Sequence, residues 1–539
     1  MKFFLKLNIK NGWIEKKNKE SLFCFKGYLN NLSINDLYSK LFLLNFNTND
    51  ISKFFRKLDG HFSIIFIQKD KLLLGNDRVS SNPVILVKEK NNVYIADNYL
   101  NLLSMVKKKN LSFNSIQLKH LAMSGFTFGQ SGIYNEVLIS SPGTFCLVKN
   151  KLLINQKYHD WKPFKKVKGK PYLIKSKLKN INNNIIFKLI KSCNNRCIVI
   201  PLSAGYDSRF ILSGLVEKGY KNLITFSYGR KENREKNIAE KLAKYLNIPW
   251  RYIEFTNYNQ KKMAISKIYD GYKKFSDTTQ SVHFPQDFHA IYYLRENKII
   301  PKDSIIVNGQ SGDFISGNHI PELDSKYGFE EILNYYFLKH YKIWNSLMNQ
   351  NKAIIKKKII KRILDFKPYN SKINKKFLLE AFQKLEYEDR QTKYVIHGQR
   401  TYEYFGYEWR LPMWDKDYIN FWEKIDTSYK MRQSLYREVL LEQNWGDVWK
   451  KFPLNPPNTF STKWQIIRFL LKCFFIPYGK NKWHAFEKKY LDYFINPLCE
   501  YAQWKYLKVL REDRGFANSL SFRIEEYLKE KGSDWKGMI

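Results

Sequence analysis

At 539 residues, with 44% hydrophobic and 16% aromatic side chains, the chain is too long for one core and too apolar to be a disordered polymer, so two domains are expected. A formal net charge of +42 attracts polyanions, but Lys far exceeds Arg while Asn and Ile abound, a pattern that coding bias alone produces; without zinc-finger spacing or an RNP-type strand, no dedicated nucleic-acid partner is expected. Six scattered cysteines exclude a dense disulfide scaffold and fit free thiols in the cytoplasm.

Lys6 interrupts the first apolar run, so no signal peptide is read there. Up to about residue 160 the pattern is short strands with turn punctuation. "GHFSIIFIQKDKLLLGNDR", "NPVILVKEKNNVYIAD" and "SSPGTFCLVKNKLLINQKY" each read as two strands around a polar bend, at Gln68 to Lys71, Asn91-Asn92 and Lys149 to Lys151. This predicts an α+β domain of antiparallel pairs over 1–160. Residues 161–174 open with the basic, proline-bearing "WKPFKKVKGKP" and read as a linker. From residue 175 to 539 a second domain is expected. Its strands "CIVIPL", "LITFSY", "WRYIEF" and "SIIVNG" alternate with helices such as "ENREKNIAEKLAKYLNI", whose Ile238, Leu242, Tyr245 and Leu246 share a face. That alternation predicts a doubly wound parallel sheet with ligands at the carboxyl ends of its strands. Beyond about Tyr327 the chain reads as helical, aromatic and basic. The stretch "WQIIRFLLKCFFIPYGKNKW" is broken by Arg468, Lys472 and Pro477 and cannot span a bilayer; a core helix or a weak peripheral membrane contact are its two readings.

The chemistry concentrates in "LSAGYDSR", residues 202–209. Ser203 follows the strand, Gly205 lets backbone approach a ligand, and Ser208 opens a helix whose free amides and partial positive charge suit an anion. Asp207 would repel bare phosphate, which implies a bridging Mg²⁺. The competing reading is a capped turn and nothing more. The pattern is not a Walker A loop, since Gly-x-x-x-x-Gly-Lys-Ser/Thr is absent.

"LSAGYDSR" resembles the Ser-Gly-Gly-x-Asp-Ser pyrophosphate loop of the N-type ATP pyrophosphatases, and within them the asparagine synthetase family. "VNGQSGDFISGN" (307–318) is similar to that family's Ser-Gly-Glu-Gly-x-Asp-Glu motif, with Asn308, Gly309 and Asp313 matching, Gln310 replacing a Glu and Phe314 an acid. "YEWRLPMWD" (407–415) is similar to Glu-x-Arg-x-Pro-Phe-Leu-Asp, with Glu408, Arg410, Pro412 and Asp415 in register. "LDGHFSIIFIQKDKLLLGNDRVSSNPVIL" is similar to stretches of the family's N-terminal-nucleophile glutaminase domain, Asp77, Arg78 and Pro83 matching.

The resemblance implies an N-terminal-nucleophile-like α+β domain, then an ATP pyrophosphatase domain with a helical C-terminal part. It implies ATP and Mg²⁺ as cofactors, with Asp207 and Asp313 as metal ligands, and Leu202, Ser203, Ala204, Gly205, Tyr206, Asp207, Ser208, Tyr228, Asn308 and Gly309 around the nucleotide. The implied substrates are a small carboxylate and ammonia or an amine, joined through an acyl-adenylate. Asp207, Asp313, Gln310, Glu408, Arg410 and Lys451 are the catalytic candidates; Lys450 and Lys463 compete with Lys451, and Glu408 reads equally as a structural partner of Arg410. Position 2 is Lys rather than the family's nucleophilic Cys, and Cys24 lies within the chain, so no glutamine hydrolysis is expected. Amidation of a sugar acid, lactam formation and RNA modification stay open as alternative reactions of the same fold.

Overall fold

The computed structural model describes residues 1–164, 169–322, 328–367, 373–454 and 460–533. The first domain is built from β1 (Lys2–Lys6), β2 (Trp13–Lys17), β3 (Ser21–Leu29), β4 (Gly60–Gln68), β5 (Lys71–Asn76), β6 (Ile85–Glu89), β7 (Asn92–Ala96), β8 (Val137–Ile139), β9 (Thr144–Lys149) and β10 (Leu152–Lys157). The three bends read from sequence close antiparallel pairs: β4 with β5, β6 with β7, and β9 with β10. Lys69, Lys90, Asn150 and Lys151 supply positive φ at these bends.

Pairing yields a six-stranded antiparallel sheet, β10-β9-β5-β4-β3-β2, and a four-stranded sheet, β1-β7-β6-β8, in which β1 runs parallel to β7. The large sheet is covered on both faces, which is why β4 is a continuous apolar run. One face packs Cys24, Ile65, Leu72 and Leu74 on Leu86, Val93 and Ile95 of the small sheet. The other packs Phe23, Phe25, Ile64 and Phe66 under the helices Ile34–Phe42 and Thr48–Lys57.

The expected linker is structured at both described ends, and 165–168 lie outside the described residues. Trp161 is 1% exposed, its ring 4.9 Å from Tyr387 and 5.8 Å from Phe314, and its carbonyl accepts from Lys384 Nζ at 3.0 Å. The helix Pro171–Cys193 begins inside the segment, with proline in its first turn, where a missing N–H costs nothing.

The second sheet holds β11 (Ile198–Pro201), β12 (Leu223–Gly229), β13 (Trp250–Glu254), β14 (Ile305–Val307) and β15 (Glu408–Arg410), all parallel, in the order β13-β12-β11-β14-β15. The order reverses at β11, which opens a crevice where the ends of β11 and β14 lie side by side. The C-terminal helices do not form a separate body. Ile332, Ile355, Phe377 and Phe522 share one core with Ile85, Val87, Leu118 and Leu121 of the first domain. Among the described residues no helix is long and apolar enough to cross a membrane.

Because Trp161 joins the core rather than spanning a gap, Trp161→Ala should cost about 3 to 5 kcal/mol in denaturant unfolding. Trp161→Phe should recover most of that loss.

Candidate functional site

The loop after β11 is held by its own serines. Ser203 Oγ accepts from the Gly205 N–H at 3.1 Å and lies 3.2 Å from Ser208 Oγ, which accepts from the Ser203 N–H at 3.1 Å. The two hydroxyls therefore brace the turn. No side chain caps the helix Tyr206–Glu217, whose N-cap is Gly205, so its first amides stay available to an anion. Behind the loop the buried Arg209 donates to the carbonyls of Phe452 and Pro453, both at 2.9 Å, and fastens a later segment to the turn.

The second loop, after β14, lies directly on the first. A Cβ on Gly309 would sit 2.5 Å from Asp207 Cβ, and one on Gly312 would sit 2.4 Å from Asp207 Cγ. Only glycine fits at either place. Ser311, where the resembled motif has Gly, adopts φ 67° and donates to Gln391 Oε1 at 2.6 Å. The contact is completed by the Asp313 N–H, which donates to Asp207 Oδ2 at 3.0 Å, and by the Tyr436 hydroxyl, which donates to Oδ1 at 3.1 Å.

The two carboxylates are pushed apart electrostatically. Burial, then the charge of Asp313, raises the Asp207 carboxyl well above the usual range. Partial burial works against the charge of Asp313, whose side chain stays 44% exposed, but the hydrogen bond and charge of His319 hold it below the usual range. His319 Nε2 is 3.0 Å from Asp313 Oδ2, while Nδ1 bonds Glu386 Oε1. Burial opposes the charge on His319, yet Glu386 and Asp313 outweigh it and push the imidazolium up to about 9. Glu386 is further held by Lys339 and His340, both at 3.3 Å.

These loops wall a cavity of about 660 Å³. Leu202, Ser203, Gly205, Tyr206, Asp207, Ser208, Tyr228, Asn308, Gly309, Gln310 and Asp313 all line it. Ala204 is fully buried behind the turn. Tyr228 and Tyr402 both donate to Asp287, and Tyr402 accepts from Asn308 Nδ2 at 2.9 Å. The amide of Gln310 is engaged by Gln399 Nε2 at 2.6 Å, so it offers a polar wall and no proton acceptor of carboxylate strength.

Three candidates fall elsewhere. Glu408 pairs with Ile305 at the amino end of β14, the opposite edge of the sheet, and binds Arg196 and Arg410. Arg410 stacks on Tyr28 at 4.1 Å and donates to the Ser192 carbonyl at 3.0 Å. Both are structural there. Lys451 lies 3.9 Å above the Tyr245 ring, and neither it nor Lys450 nor Lys463 lines the cleft. Among the described side chains, Lys236 is the basic one that does. His319, Glu386, Tyr402 and Tyr436 were missed. His319 stands just beyond the motif 307–318 and was open to notice; the other three are brought in only by the fold.

Residues 196–287 match the family model of QueC, described as a queuosine biosynthesis protein. That segment is similar to a PP-loop ATP pyrophosphatase domain. No curated protein matches the chain. Similar solved structures include the glutamine phosphoribosylpyrophosphate amidotransferase from B. subtilis complexed with ADP and GMP, at 8% identity over 51% of this chain and 77% of that one, TM-score 0.21. The NH3-dependent NAD synthetase from Campylobacter jejuni in complex with nitrate aligns at 13% identity over 41% of this chain and 94% of that one, TM-score 0.21. An allosteric regulatory enzyme of purine biosynthesis aligns at 9% identity over 50% and 70%, TM-score 0.16.

Asp207 and Asp313 suit Mg²⁺, which takes one or two carboxylates and fills its shell with phosphate oxygens and water. The strain between them is what a divalent cation offsets. Among the described residues no three His, Cys, Asp or Glu side chains form a ready cage.

Gly312→Ala should displace the Asp207 carboxylate, costing about 1 to 3 kcal/mol of stability and the thermal shift given by ATP with Mg²⁺. Asp207→Asn should act oppositely on the unliganded fold. With its folded carboxyl raised, wild-type Asp207 keeps a proton that the unfolded chain releases, so its contribution to stability falls as pH rises above the ordinary carboxylate range. The Tm advantage of Asp207→Asn over wild type should therefore grow from about pH 4 toward neutrality.

Proposed function

We propose that the protein is an ATP-dependent carbon–nitrogen ligase that activates a carboxylate as an acyl-adenylate and transfers the acyl group to ammonia or an amine. The observation that carries this is the meeting of the two loops at Asp207, beside an uncapped helix N-terminus. A carboxylate oxygen attacks the α-phosphorus of ATP and the bond to pyrophosphate breaks; the amine then attacks the carbonyl carbon and the bond to AMP breaks. The Ser203 and Ser208 hydroxyls and the first-turn amides hold the departing pyrophosphate where its charge develops. Asp207 and Asp313 would hold Mg²⁺, which neutralises phosphate charge. His319 keeps Asp313 ionised and oriented; with both ring nitrogens engaged, it takes no proton from the amine.

Ammonia or an amine, rather than glutamine, is the nitrogen source in this reading. Burial, then Glu15, pushes the Cys24 thiol up to about 12, far from a reactive thiolate. The charge of +42 favours a second reading, an ATP pyrophosphatase that modifies RNA. That reading requires tight RNA binding that weakens steeply with salt.

Carboxylate-dependent exchange of labelled pyrophosphate into ATP, screened over aspartate, sugar acids and amino acids, tests the proposal. One acid should support exchange, and Asp207→Ala should abolish it. Exchange retained by that variant would sink the assignment of Asp207, and exchange that needs RNA and no acid would favour the second reading.

A further inference from the structure

The helix Thr462–Phe474 buries none of its residues. Its two apolar stripes point opposite ways. Trp464 and Leu471, with Phe475 just beyond, pack on a small core of Trp483, Leu491 and Ile495. Ile466, Phe469, Leu470 and Phe474, spaced i, i+3, i+4 and i+8, face outward and are 55, 69, 55 and 74% exposed. Ile476 and Tyr478, 74 and 70% exposed, continue the patch. A contiguous surface of this kind marks a docking site rather than scattered surface apolarity.

The charges around it choose the partner. Lys463, Lys472, Lys480 and Lys482 are all exposed, while Glu487, the sole acid of residues 460–490, is engaged by Arg468. Apolar side chains ringed by flexible ammonium groups match a lipid surface that offers acyl chains below and anionic headgroups at its rim. We propose that this face docks the protein on an anionic membrane surface, lying on the bilayer and not crossing it. The segment runs on into Asn496, Pro497 and Leu498, which line the nucleotide cleft, so the docking face and the cleft wall are joined by continuous chain.

Cys473 lies on the same helix and is the exposed cysteine, the other five being buried, so it accepts a polarity-sensitive fluorophore selectively. The full chain should sediment at low salt with vesicles of phosphatidylcholine and phosphatidylglycerol but not with phosphatidylcholine alone, and the Cys473 label should shift to the blue. Each surface charge contributes about fivefold in partitioning, so Lys472→Glu with Lys480→Glu should weaken binding at least about 25-fold. Phe469→Glu with Phe474→Glu should do the same, while Tm and the thermal shift given by ATP with Mg²⁺ stay at wild-type values. If the aromatic pair proves unfolded, the lysine pair and the fluorophore shift decide. Indifference to anionic vesicles, or equal binding after both exchanges, overturns the proposal. So does a patch that instead pairs two copies, seen as doubled mass in light scattering without lipid and abolished by the phenylalanine exchange, or one that takes up RNA with the same sensitivity.

Discussion

The structure turns on the contact between Asp207 and the backbone of the second loop. Sheet order places β11 beside β14, so the turns leaving their carboxyl ends must share one small volume. Gly309 and Gly312 let them share it, because a methyl group at either would penetrate Asp207. The consequence is electrostatic. A carboxyl is forced out of water beside a second carboxyl, and the surroundings must hold both without metal. Tyr436 does so for one and His319, backed by Glu386, for the other. All three partners belong to the region after the parallel sheet's first four strands, so the C-terminal helices finish the site that the sheet begins.

Charge is segregated across the molecule. The chain is strongly basic, yet its cleft is lined by Asp207, Glu235, Asp287, Asp313 and Glu500, with Lys236 as the basic side chain among those described. A polyphosphate entering alone would meet net repulsion, and the helix N-terminus offsets only part of it. An acidic cleft therefore argues for a polyanion that brings its own cation. It also separates the surface excess of lysine from the cleft.

The elements legible in the sequence are those whose signal is local. β4 and β5 are apolar runs closed by a polar bend, and the strands of the parallel sheet are short buried runs ended by small residues; both survive folding unchanged. The loop was equally legible, since the spacing of Ser203, Gly205, Asp207 and Ser208 sets its shape. Long-range decisions were not. Trp161 sits among lysines and prolines and looks like linker, and only Tyr387 and Phe314 make it core. Tyr245 has the helical spacing of a core residue but is 42% exposed, its ring taken by Phe452 and Lys451. β15 is three residues long, too short for any period, and exists because β14 offers it an edge. Glu408 and Arg410 followed it to the last strand of the sheet, which no spacing within their own motif could reveal.

The first domain is built into the second. The short helix Arg400–Tyr404 shows how. At one end Arg400 donates to the Phe275 carbonyl at 3.0 Å and lies 4.6 Å above that ring; at the other, Glu403 accepts from Lys26 Nζ of the first domain at 2.6 Å and from Trp409 Nε1 at 3.0 Å. Lys26 and Glu403 are each only 4% exposed, and removing either would strand a buried charge. Between them Tyr402 reaches the cleft, donating to Asp287 and accepting from Asn308 at the end of β14. The pair that fastens the domains and the hydroxyl that orders the cleft thus ride on the same turn of helix. The first domain is fixed in place by this shared support, because loosening it would release Tyr402 from the end of the strand where the second loop begins.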